Sequence, residues 1–150
     1  MLKKTVTYET FDGETVTEDL YFNISESELS DMQFSKAGGM SEYITQIYNT
    51  KDSVKIYNLF KELILKAYGI KSPDGKKFYK TDAIRTEFAS SIAYDTVFSE
   101  IIRNPDYAVE FIRGIFPKKI MSDIPEDPNK IKELINKTKE ERAKLTAKNS

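Results

Sequence analysis

The sequence predicts an α+β protein: an N-terminal β-hairpin packed on a bundle of about six short α-helices, with a mobile charged C-terminal tail. Three observations carry this reading. Residues 2–9 and 14–24 alternate apolar and polar with a period of two, as half-buried strands do. Residues 25–114 repeat apolar side chains at helical spacing between capping and breaking residues. After Pro117 aromatic residues stop, and Lys and Glu dominate. A length of 150 residues suits one globular domain over 1–117 and a flexible tail over 118–150, with a weak helix expected near 129–146.

In the hairpin, Leu2, Val6 and Tyr8 share one face, and Val16, Leu20, Phe22 and Ile24 share another. A two-residue Asp-Gly turn would set Tyr8 opposite Thr17 and mix the faces. A three-residue loop, Phe11-Asp12-Gly13, sets Tyr8 opposite Val16 and Leu2 opposite Phe22. That loop needs a left-handed third residue, which Gly13 supplies, so a bulge is expected there.

Ser25-Glu26-Ser27-Glu28 is a capping box. The helix it starts should reach about Lys36 and turn Leu29, Met32 and Phe34 inward. Gly38-Gly39 ends it, and Ser41 caps a second helix holding Tyr43, Ile44, Ile47 and Tyr48. The third runs from near Asp52 or Ser53 to Gly69. Its apolar face is wider than one stripe, which suits a central helix touched from several sides. A breaker-rich turn follows at Lys71–Lys77. Thr81 caps a helix with Ile84, Phe88 and Ala89. The next, about 92–103, carries Val97, Phe98, Ile101 and Ile102. Pro105 suits the first position of the last helix, which carries Tyr107, Ala108, Phe111 and Ile112 and is expected to stop at Gly114.

Composition narrows the chemistry. The chain has no Cys and no His, which excludes disulfides, thiolate catalysis and a Ser-His-Asp triad. No apolar run approaches the length that crosses a bilayer, and Met1–Thr7 reads as a strand and not a signal peptide. The expectation is a non-enzymatic protein that binds other proteins, with no cofactor, catalytic residue or metal.

Each candidate site has a plainer reading. Gly69 to Lys77 faintly suggests a phosphate loop, but the spacing is wrong and Pro73 removes a donor. A helix C-cap followed by a Pro-Asp-Gly turn fits better. Asp123, Glu126 and Asp127 lack a calcium-loop pattern. Glu9, Glu14, Glu18 and Asp19 read as solvent-facing charges of an antiparallel sheet. The lysines of 118–150 alternate with Glu, which argues against nucleic acid as a partner. Phe111, Ile112, Ile115 and Phe116 close the core or form an exposed apolar edge that receives a partner, and they are the candidate partner-binding residues.

The order of these segments resembles the small tail assembly chaperones of long, non-contractile-tailed phages and prophages of Gram-positive bacteria. The resemblance covers about 1–118. It lies in Tyr8-Glu9-Thr10-Phe11-Asp12-Gly13, Glu18-Asp19-Leu20-Tyr21-Phe22-Asn23-Ile24-Ser25 and Gly38-Gly39-Met40-Ser41-Glu42-Tyr43-Ile44. It continues in Ile64-Leu65-Lys66-Ala67-Tyr68-Gly69, Ser72-Pro73-Asp74-Gly75-Lys76-Lys77-Phe78 and Glu110-Phe111-Ile112-Arg113-Gly114-Ile115-Phe116-Pro117. It implies binding to the tape-measure protein in the cytoplasm of a bacterial host, with the tail-tube protein and a second copy as further expected partners. A structural virion component, such as a head-tail connector or tail-terminator subunit, is the rival reading. A nucleic-acid-binding regulator acting through the tail is a third.

Overall fold

The computed structural model describes residues 1–35 and 53–117. Strands β1 (Leu2–Glu9) and β2 (Thr15–Phe22) pair antiparallel, with Tyr8 opposite Val16 and Leu2 opposite Phe22. This is the register that parity demands. The Gly13 N–H donates to the Thr10 carbonyl at 2.9 Å, and the Thr10 N–H donates to the Glu14 carbonyl at 2.7 Å. Gly13 has φ +86°, the left-handed residue that lets a three-residue loop close without splaying the strands.

The sheet is larger than the hairpin that the sequence suggests. Helix α2 (Ser53–Ala67) ends before Gly69, and the chain passes directly into β3 (Tyr68–Lys71). β3 pairs with β2 through Tyr21–Gly69 and Phe22–Tyr68, and with β4 (Phe78–Tyr79), giving the order β1-β2-β3-β4. Gly69 is therefore not a helix cap but a point of close approach. A Cβ there would lie 2.7 and 2.8 Å from Phe78 ring carbons and 2.9 Å from the Tyr79 carbonyl oxygen. The helical pattern read through Tyr68 because Tyr suits either state; pairing with β2 decides it.

The turn between β3 and β4 spends its donors internally. Asp74 Oδ1 accepts from Ser72 Oγ at 2.6 Å and from the Lys76 N–H at 3.0 Å, and Ser72 Oγ accepts from the Lys77 N–H at 3.0 Å. These bonds hold the exposed Asp74 carboxyl below its ordinary range.

Helix α1 (Glu26–Ser35) carries the capping box. The Glu28 N–H donates to Ser25 Oγ at 3.2 Å, and the Ser25 N–H donates to Glu28 Oε1 at 3.0 Å. Thr81, Ser91 and Asn104 cap α3 (Asp82–Ala89), α4 (Ile92–Arg103) and α5 (Pro105–Ile115) by accepting first-turn N–H groups. Pro105 stands where its missing N–H costs nothing. Gly114 does not break α5, which continues to Ile115. A Cβ there would meet Leu2 Cδ1 at 2.7 Å, so this glycine lets the helix lie close on β1. The helix expected around 41–48, the Phe34 side chain, the 118–150 tail and the acids at 123–127 lie outside the described residues.

The described helices cover one face of the sheet. Val6, Leu20 and Phe22 are buried there, while Thr5, Thr7, Thr17 and Asp19 face out and bond across strands, Thr5 to Asp19 and Thr7 to Thr17. Phe22 is the hub, with the rings of Phe111, Tyr68 and Phe88 at 5.1, 5.9 and 6.0 Å. Each such pair adds about 0.5–1.5 kcal/mol beyond area burial.

Candidate partner-binding surfaces

The four apolar residues singled out in the sequence are inside. Phe111 and Ile115 are 0% exposed, Phe116 4% and Ile112 6%. Phe111 packs edge-on against Phe22, and the Ile115 carbonyl accepts the Ile24 N–H at 2.7 Å. The cause is Gly114: because α5 runs through it, Ile115 stays on the helix and turns into the core. A partner reaches these four side chains only if α5 lifts off the sheet.

Three niches of the fold combine rings with carboxylates. At the α5 end, Lys4 Nζ lies 4.2 Å from the centre of the Tyr107 ring and bonds Glu110 Oε2 at 2.9 Å. Burial, with the carboxylates of Glu100 and Glu110, pushes the Tyr107 phenol up to about 12.

A second niche ties the sheet to α1 and α2. Lys80 Nζ donates to both oxygens of Glu28, at 2.8 and 2.9 Å, to the Lys66 carbonyl at 2.9 Å and to the Asn23 carbonyl, and it lies 5.6 Å from the Phe78 ring centre. Burial lowers the Lys80 ammonium, and Glu28 opposes that shift. For Glu28, burial pushes upward, but Lys80 and the Ser25 N–H outweigh it and hold the carboxyl below its ordinary range. Nothing local in the sequence marks Lys80, because its hydrogen-bond partners are 14 to 57 residues away.

The third niche is a cleft of about 250 Å³ between the helix-bearing face of the sheet and α3. Tyr8 and Glu18 come from the hairpin, Tyr68 from β3, and Ile84, Glu87 and Phe88 from α3. Tyr68 stacks on Phe88 with ring centres 3.7 Å apart, and Tyr8 Oη donates to Glu18 Oε1 at 3.0 Å. Burial first, then the charges of Glu18 and Glu87, raise the Tyr68 phenol. Burial and Glu18 raise that of Tyr8. Among the described residues, no Lys or Arg pairs with Glu18 or Glu87.

Glu18 is solvent-exposed, as its reading beside Asp19 expects, but its register sets it on the helix-bearing side of the sheet, opposite Val6. It shares the parity of Val16, Leu20 and Phe22 and lines the cleft. A charge in an otherwise apolar inward set was the signal that could have located this site. Elsewhere, Tyr57, Phe98 and Ile102 line a more open hollow of about 260 Å³, with Lys61 and Arg103 beside it.

Among the described residues, no group of three or more acidic side chains is arranged to hold a metal ion, and no helix is long and apolar enough to cross a membrane. A family model described as phage tail assembly chaperone matches residues 1–149. No curated protein and no solved structure matches the chain.

Proposed function

The chain belongs to the phage tail assembly chaperone family, and from that premise we propose that it binds the tape-measure protein and keeps it soluble while the tube assembles. The role in tail assembly follows from the family; the choice of partner rests on chemistry. A tape-measure protein is long and helical, and its apolar stripes aggregate unless they are covered. A side-chain-sized cleft walled by Tyr8, Tyr68 and Phe88 receives such stripes by the helix-in-groove mode. The single observation that carries the reading is this open, aromatic-walled cleft on a family member.

Holding a partner requires no bond-making step, which suits a chain without His or Cys and supports a non-enzymatic role in the host cytoplasm. Tail-tube protein and a second copy are further partners under this reading. Co-expression with the tape-measure protein tests it. Co-purification with rescued solubility is expected. No binding and an equally insoluble partner would overturn it, and finding the chain in purified particles would make it a structural component.

A further inference from the structure

The three ring-and-carboxylate niches differ in one respect. Lys4 fills the niche of Tyr107 and Glu110, and Lys80 fills that of Phe78 and Glu28. The cleft of Tyr8, Tyr68, Glu18 and Glu87 has the same composition, yet among the described residues no cation enters it. We propose that this cleft receives a basic side chain, arginine or lysine, carried on the apolar face of an amphipathic helix of the tail partner.

The chemistry fits at each end of such a side chain. The methylene stem lies along Ile84 and the Tyr68–Phe88 stack, as long basic side chains cover apolar surface while their heads reach polar groups. The head meets Glu18 and Glu87, whose negative charge is already felt at the Tyr68 phenol. Ring faces attract the cation further, and a guanidinium gains most from stacking and bidentate pairing. The occupant's identity as a tail protein rests on the tape-measure reading above; the demand for a basic anchor rests on the cleft alone.

The test compares the full chain with E18Q/E87Q. Glutamine keeps an acceptor for Tyr8 Oη, so fold and thermal midpoint should be retained; E87K, at an exposed helix position, gives a second variant. Two labelled amphipathic helical peptides serve as probes, alike except at the centre of the leucine face, which holds a Lys in one (Leu/Lys) and a Glu in the other (Leu/Glu). The Leu/Lys peptide should bind the wild type and lose about tenfold in affinity to E18Q/E87Q, as a lost pair of charge-assisted contacts implies. The Leu/Glu peptide should bind neither. Equal affinity of both proteins for Leu/Lys, or of the wild type for both peptides, overturns the proposal. So does dissociation of a wild-type oligomer by E18Q/E87Q, which makes a second copy the occupant. Tape-measure protein retained equally by both proteins also overturns it and leaves the tape-measure reading standing. Peptide binding that depends on the two glutamates, without tape-measure binding, keeps the anchor and removes that reading.

Discussion

The α5 end and the α3 cleft use one vocabulary, tyrosine, phenylalanine and glutamate, to opposite effect. At the α5 end Phe111, Ile112, Ile115 and Phe116 are buried, Lys4 closes the ring-and-acid niche, and Gly114 lets the helix lie on β1. At the α3 cleft Tyr8 and Tyr68 are half-buried over a buried Phe88, the lining acids Glu18 and Glu87 are exposed, and Ile70 at the rim remains 48% exposed. Apolar content alone would rank them the other way, since Phe111 to Phe116 is among the greasiest stretches of the chain. What separates a core from a docking surface is whether the fold supplies the last covering group.

That contrast can be broken at several points. The largest effect belongs to Phe111→Ala at the closed end. Removing this fully buried ring should lower stability by about 3–5 kcal/mol in urea unfolding. A change near zero would mean that Phe111 faces a partner and not the core. Next comes Gly69→Ala beneath the cleft. The added Cβ strikes the Phe78 ring and the Tyr79 carbonyl, and overpacking of this kind costs about 1–3 kcal/mol. Were Gly69 a helix cap instead, the measured loss would come from backbone strain and would leave the Phe78 ring resonances in place.

The niche filled by Lys80 sharpens the comparison through pH. The Glu28 carboxyl is held below its ordinary 4.5, so its contribution to stability is fully present above that value. It is lost as pH falls through the lowered value, and E28Q should flatten that part of the acid-denaturation profile. The smallest effect is expected in the cleft. E18Q at an exposed position should shift stability by less than about 0.5 kcal/mol while weakening partner binding.

Local chemistry was legible in the sequence, and long-range pairing was not. The hairpin register followed from parity and Gly13, and the caps at Ser25 and Thr81 and the first-turn place of Pro105 followed from motifs a few residues long. β3 and β4 escaped notice because four- and two-residue strands carry too little pattern. Tyr68 and Gly69 become strand only by meeting Phe22 and Tyr21. Gly114 read as a breaker because its use, close packing on Leu2, requires residues more than a hundred positions apart. The cleft draws on β1, β2, β3 and α3, so no window of sequence contains it.

The central claim is that the α3 cleft, and not the α5 end, meets the partner. Hydrogen exchange of the full chain with and without tape-measure protein tests it most directly. New protection confined to Tyr68–Lys71 and Asp82–Ala89, with Pro105–Ile115 unchanged, is the predicted result. Protection confined to Pro105–Ile115 would contradict it and return the binding face to Phe111, Ile112, Ile115 and Phe116.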